Sequence, residues 1–173
     1  MGTYINKENY LKALCMAHPA VAHGTLVDGK PRNSFFRIND EQEISSATIN
    51  NIDYPCVAFI SIEGRMTDQD NALTDIRHVF KNGWMFLDHV TDSVDADGKG
   101  NADRIETAYD EMFSVMEDFI KVMKDDFEVS GRCGAFENFD LNKMSYVQHG
   151  PTQQNEYGWI LYFDDEFKAS RVI

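Results

Sequence analysis

The chain has few of the residues that staple a fold, anchor it in a membrane or grip a polyanion. Three cysteines in 173 residues, Cys15, Cys56 and Cys133, lie far apart, and none forms a Cys-x-x-Cys pair. That spacing argues against a disulfide framework and a zinc knuckle. It leaves three small thiols, buried or half-buried, in a reducing compartment. No stretch of about 18 apolar residues occurs, so no transmembrane helix is expected. No basic segment leads into an apolar core at the start, so no secretory signal is expected and the chain reads as cytoplasmic.

Positive charge is scarce as well. Sixteen Lys and Arg stand against twenty-nine Asp and Glu, a formal net charge of −13. A surface this acidic repels phosphate, which argues against holding nucleic acid through a basic footprint. It is compatible with a protein that surrounds DNA and lets it slide past.

Reactive motifs are missing too. The five histidines, His18, His23, His78, His89 and His149, show no metal-ligand spacing. No Gly-x-Ser-x-Gly, phosphate-binding loop or Gly-x-Gly-x-x-Gly occurs, and Gly131 to Gly134 reads as a turn. Nothing singles out a catalytic pair among the acids, which a solvated acidic face explains. The expectation is a protein that is not an enzyme and needs no cofactor.

One segment invites a metal. Aligned as a calcium loop, Asp95, Asp97, Gly100, Asp103 and Glu106 fall at ligand or turn positions of the twelve-residue pattern. Lys99, however, puts a cation where a ligand oxygen belongs, and the segment before the loop reads as a strand. The favoured reading is a solvated strand-to-helix connection whose last acids cap the helix, with no metal.

What is present suits one α+β domain spanning 1–173: 43% of residues are hydrophobic and 12% aromatic. Asn6 to Ala17 reads as a short helix on Tyr10, Leu11, Leu14 and Cys15, and Pro19 stops it. His18 to Arg32 reads as loop, and Ser34 to Ile38 as a short strand. Asn39 to Asn51 reads as loop with at most one helical turn, Tyr54 to Glu63 as a strand ended by Gly64, and Thr67 to Asn71 as loop. Leu73 to Phe80 has helical spacing, yet Asn82-Gly83 could close a hairpin; the balance falls on loop or short helix before a strand from Trp84 to Val90.

The clearest element is a helix from about Asp103 to Phe127. Ile105, Ala108, Met112, Phe113, Met116, Phe119, Ile120, Met123 and Phe127 keep one stripe, and Asp103 with Glu106 fits a capping box. Such a stripe needs a sheet to lie on. Strands over Asn138 to Gln148 and Tyr157 to Phe163 supply it, joined by the polar linker His149 to Glu156. The second strand is apolar on both faces, so it belongs in the interior of the sheet. The expected fold is an antiparallel or mixed sheet with the long helix and the short N-terminal helix packed mainly on one face. An extended tail over 164–173 completes it.

The run Asn138-Phe-Asp-Leu-Asn-Lys-Met-Ser-Tyr-Val-Gln-His-Gly-Pro151, then Glu156-Tyr-Gly-Trp-Ile-Leu-Tyr-Phe163, resembles a pattern in tail-module proteins of Bacteroidetes phages. The order of elements is similar from about Trp84 to Phe163. Those proteins are similar to tail-terminator or tail-completion subunits of the head–tail connector. The resemblance implies a structural virion protein, made in the host cytoplasm, that forms a ring at the neck with neighbouring neck or tail proteins. DNA would cross its lumen without sequence-specific binding. Loops such as Gly64 to Asn82 and the tail Asp164 to Ile173 are expected to contact neighbouring subunits, with Met66, Phe80, Phe167 and Val172, apolar residues inside polar stretches, as the candidate assembly contacts. A second reading, from the charge alone, is an acidic immunity or inhibitor protein that masks a basic toxin.

Overall fold

The computed structural model describes residues 4–39, 51–68, 76–91, 100–130, 140–152 and 155–168. Helix α1 spans Tyr4–Ala17. The segment after it, expected to be loop, holds a small antiparallel hairpin of β1 (Leu26–Val27) and β2 (Lys30–Pro31). Asp28 and Gly29 join the two strands with positive φ angles of 50° and 77°. Two consecutive positive φ values match the right-handed twist of a tight hairpin, which is why Asp-Gly serves there.

The main sheet follows. Strand β3 is Phe35–Ile38, β4 is Cys56–Asp68 and β5 is Ile76–His89. Helix α2 covers Asn101–Ser130; a 3-10 turn at Leu141–Lys143 then leads into β6 (Met144–His149), and β7 (Glu156–Lys168) ends the described chain. The strand order is β3-β4-β5-β7-β6, parallel between β3 and β4 and antiparallel elsewhere. This is the mixed sheet of an α+β fold, with β7 inside it as its two apolar faces require.

Several boundaries differ from the sequence reading. The strand expected over Asn138 to Gln148 begins only at Met144, because Leu141–Lys143 forms a 3-10 turn capped by the Asp140 side chain. Strand β4 does not stop at Gly64 but runs through Thr67 to Asp68, with a register irregularity between Ile60 and Glu63. Strand β5 starts at Ile76, so the described part of 73–80 is neither loop nor helix. Asn82-Gly83 lies mid-strand and makes no turn: Gly83 pairs with Ile60 on one side and Tyr162 on the other. A Cβ at Gly83 would sit 2.9 Å from the Ile60 side chain, so the glycine answers a packing demand. The 164–173 segment is not a loose tail as far as Lys168, since β7 pairs with β5 to that point.

Both faces of the sheet are apolar. On one, Phe35, Val57, Phe59, Trp84, Phe86, Leu161 and Phe163 pack with Leu11, Leu14 and Cys15 of α1 and with Met112, Val115, Met116, Phe119 and Met123 of α2. On the other, Ile38, Cys56, Ala58, Ile60, Met85, Leu87 and Ile160 form a second cluster, joined by Phe36, Ile52, Tyr54 and Tyr162. The helices therefore share one face, as the helical stripes require. They run antiparallel: the Tyr10 hydroxyl donates to Asp126 at 2.7 Å, and His18 meets Asp118 at 3.3 Å. No helix among the described residues is long and apolar enough to cross a membrane.

Helix α2 begins two residues before the expected start, so Asp103 stands within its first turn and not at the cap. There its charge still opposes the positive end of the helix dipole.

Candidate functional site

The densest polar arrangement among the described residues lies where β5 ends and β7 begins. Glu156 opens β7, pairs with His89 and is only 1% exposed. A buried carboxylate needs donors on both oxygens, and it has them. The Tyr54 hydroxyl donates to Oε1, and the Thr152 hydroxyl donates to Oε2 at 2.7 Å. The Glu156 amide donates back to Thr152 Oγ1 at 3.2 Å, and the Thr152 amide to the Glu156 carbonyl at 3.2 Å. Arg32 Nη2 donates to the Tyr54 carbonyl at 2.6 Å, fixing the segment that leads into β4. The Tyr54 ring lies 5.5 Å from the His89 ring. Peptide bonds before Pro55 and Pro151, on either side of this cluster, are cis.

Burial sets the electrostatics. It pushes the Tyr54 phenol up, helped by the hydrogen bond to Glu156, so the proton stays on Tyr54. Cys56 is raised mainly by burial, then by the negative charges of Glu156 and Asp88. Burial also raises Asp88, while its hydrogen bond from the His89 amide and the nearby His89 and Arg32 act in the opposite sense. Cys15 is raised by burial as well, and both thiols are free. A thiol held protonated is a poor nucleophile.

Two open concavities flank the cluster. One, of about 190 Å³, is lined by Asp88, His89, Val90, Arg104, Thr107, Ala108 and Glu111. The other, of about 1090 Å³, lies beside Lys30, Arg32, Asn33, Asp53 and Tyr54. Glu156 holds two hydroxyl donors and reaches neither as a free group. What the arrangement does is tie three distant segments together: the approach to β4, the end of β5 and the β6–β7 turn.

The calcium-loop candidates divide. Asp103 and Glu106 are exposed on the first turns of α2, whereas Asp95 and Asp97 lie outside the described residues. Among the described residues, no group of three or more His, Cys, Asp or Glu side chains could hold a metal ion.

The assembly candidates lie largely together. Beyond Ile60 and Phe163, where pairing with β3 and β6 ends, β4, β5 and β7 continue as a three-stranded extension. Met66, His78 and Phe167 occupy one register row there, and Phe80 stands two residues from His78, opposite Gly64 and Asp165. The three residues thus share one phase of the strand alternation, in strands and not in the expected loop and tail. Val172 lies outside the described residues.

Sequence reasoning missed the edges of the sheet. Among the described residues, β3 pairs only with β4, and β6 only with β7. Ser145, Tyr146, Val147 and Gln148 are exposed, with Tyr146 at 56% and Val147 at 48%. The Tyr146 ring lies 5.4 Å from Phe113 and 5.7 Å from Trp159, and Trp159 donates from its indole to the Tyr109 carbonyl at 2.9 Å. An aromatic shelf therefore runs from α2 to a strand that is paired on one side only among the described residues. The sequence signal was weak, since the run without Asp, Glu, Lys or Arg that begins at Met144 continues to Asn155, beyond the strand. No protein-family model, no curated protein and no solved structure matches this sequence or fold.

Proposed function

We propose that this chain is a structural assembly subunit that forms a closed ring in the head–tail connector of a tailed phage. The observation that carries the reading is the pair of unlike edge strands, β3 and β6, at opposite ends of one sheet, each paired on one side only among the described residues. A ring needs a head-to-tail contact, in which two different patches of the same chain meet and the rotation closes. The three-stranded extension bearing Met66, Phe80 and Phe167 offers a further contact outside the sheet body. The excess of acid suits a channel through which DNA passes without adhering. The phage assignment itself rests on the sequence resemblance between Trp84 and Phe163.

The competing reading, an acidic inhibitor of a basic toxin, draws on the exposed acids of α2, among them Asp110, Glu117, Asp118, Asp125 and Glu128. The two readings respond to salt in opposite ways. Copies carrying −13 each repel, so added salt strengthens self-assembly, whereas it weakens an acid–base complex. Light scattering coupled to size exclusion, at low and high salt, with negative-stain imaging, tests the proposal. Closed rings that gain population with salt support it; a strict monomer that takes up a basic protein at low salt overturns it.

A further inference from the structure

Deepening the ring reading, the geometry points to one specific contact: β6 of one copy adds to β3 of the next, in antiparallel register, with Tyr146 opposite Arg37.

Strand directions come first. Strand β3 runs parallel to β4, and the pairings β4–β5, β5–β7 and β7–β6 are each antiparallel. The two edge strands are therefore antiparallel to one another. A copy rotated about an axis along the strands, with its helices on the same side, presents β3 to β6 with the hydrogen-bonding direction already correct.

The phase of the side chains then selects the register. Phe35 belongs to the helix-side core and Phe36 to the opposite cluster, so Arg37 stands on the helix side. Met144 packs against the helix-side core, and Tyr146 meets Phe113 and Trp159, so Tyr146 and Gln148 share that side. Paired residues in a sheet must share a face. Tyr146 opposite Arg37 puts Val147 against half-buried Phe36, Ser145 against Ile38 and Gln148 against Phe35, and each pair matches. A one-residue slip breaks every match. A two-residue slip drives β3 past the end of β6 into Lys143 or Gly150. Only this register sets all four residues of β3 against the four exposed residues of β6.

Charge argues for a second copy as the occupant. In a chain with twenty-nine acids, neither β3 nor β6 contains an Asp or Glu. Open edges are commonly blunted by charge or proline, and β6 carries neither. Two molecules of net charge −13 meet here without opposing acids, and the one charged side chain in the two strands, Arg37, is basic. A self-paired β6 is also allowed by phase, with Tyr146 facing its own copy, but it leaves β3 open on both molecules.

Cross-linking tests the pair. Directly opposed antiparallel residues have Cα separations compatible with a disulfide. Arg37→Cys and Tyr146→Cys, both at exposed positions, are purified singly, mixed and mildly oxidised beside the wild-type chain. A disulfide-linked dimer in the mixture, lost in either variant alone, is the expected result. A dimer from Tyr146→Cys alone places β6 against β6 and overturns the proposal, as does no cross-link in any lane. In parallel, Val147→Lys is expected to shift the scattering mass to monomer with the circular dichroism and melting curve unchanged; an unchanged mass overturns the pairing. Wild-type rings without the cross-link would fault only this contact. A wild-type monomer at every concentration, without the cross-link, would fault the ring itself.

Discussion

The hydroxyl of Tyr54 donates its hydrogen bond to the carboxylate of Glu156, a residue 102 positions further along the chain. The contact closes the cluster that holds the approach to β4 against the start of β7. Tyr54→Phe keeps the ring beside His89 and removes one of the two hydroxyl donors of a carboxylate that is 1% exposed. The expected loss is about 1.5–3 kcal/mol, the range for a hydrogen bond to a buried charged group. Urea denaturation of the two proteins measures it. Adding Glu156→Gln to Tyr54→Phe recovers part of the loss, because the neutral amide is cheaper to bury. A Tyr54→Phe protein as stable as the wild type would show that the cluster contributes nothing.

Gly158 is fixed by the closeness of two strands. It pairs with Leu87 across β5 and β7, and a Cβ placed there would lie 1.8 Å from the Phe86 carbonyl oxygen and 3.1 Å from Leu87 Cα. Those are backbone atoms and cannot rotate away. Gly158→Ala must part β5 from β7 in the middle of the sheet, at an expected cost of about 3 kcal/mol or more. Thermal unfolding of the variant gives the answer, with Gly100→Ala, which meets open space, as the control.

What local pattern encodes, the sequence makes legible, and α2 is the clearest case. Its stripe from Ile105 to Phe127 is the face that packs on the sheet, with Val115 the one buried residue outside the expected set. The apolar centres of β4, β5 and β7 are equally plain, and the helix-on-one-face α+β arrangement follows from them. The ends of those strands are not. Asn82-Gly83 carries a turn signal, yet Asn82 is buried with its amide donating to the Phe163 carbonyl at 3.3 Å, and Gly83 makes room for Ile60. A neighbouring strand overrides the local preference at both positions. Glu156 closes a polar linker in the sequence, and no local feature marks its burial, because Tyr54 belongs to another part of the chain. The edge position of β6 is likewise a property of strand order, which alternation along one strand cannot encode.

Asp88 gives a pH dependence of unusual sign for a carboxylate. Burial raises its pKa above the ordinary 3.8, against the pull of the His89 amide, His89 and Arg32. The folded protein therefore binds this proton more tightly than the unfolded chain does. From this residue alone, stability falls as pH rises from about 3.8 through the raised value, and the deficit persists at neutral pH. Asp88→Asn is expected to stabilise the fold at pH 7 and to lose that advantage below pH 4 or so. Melting temperatures of both proteins between those limits decide it. A variant less stable than wild type at neutral pH would mean that its charge partners outweigh burial.

His23 works in the opposite direction. Its Nδ1 accepts a hydrogen bond from the Ser34 amide at 3.3 Å, its ring meets Phe35 edge-on at 5.8 Å, and Ser34 Oγ donates to the Val21 carbonyl at 2.7 Å. A protonated Nδ1 cannot accept, and burial together with the Lys12 charge already lowers the pKa below 6.5. The unfolded chain thus takes up this proton first. The contribution is complete above pH 6.5 and is lost as pH falls through 6.5 to the lowered folded value. His23→Gln, whose side-chain oxygen can accept at every pH, should flatten this part of the stability curve without moving the Asp88 limb. Denaturant midpoints at half-unit pH steps separate the two limbs, and an unchanged slope in His23→Gln would remove His23 as its source. The consequence reaches β3: Ser34 is the residue immediately before Phe35, so acid loosens the anchor of the strand to which a neighbouring copy would add.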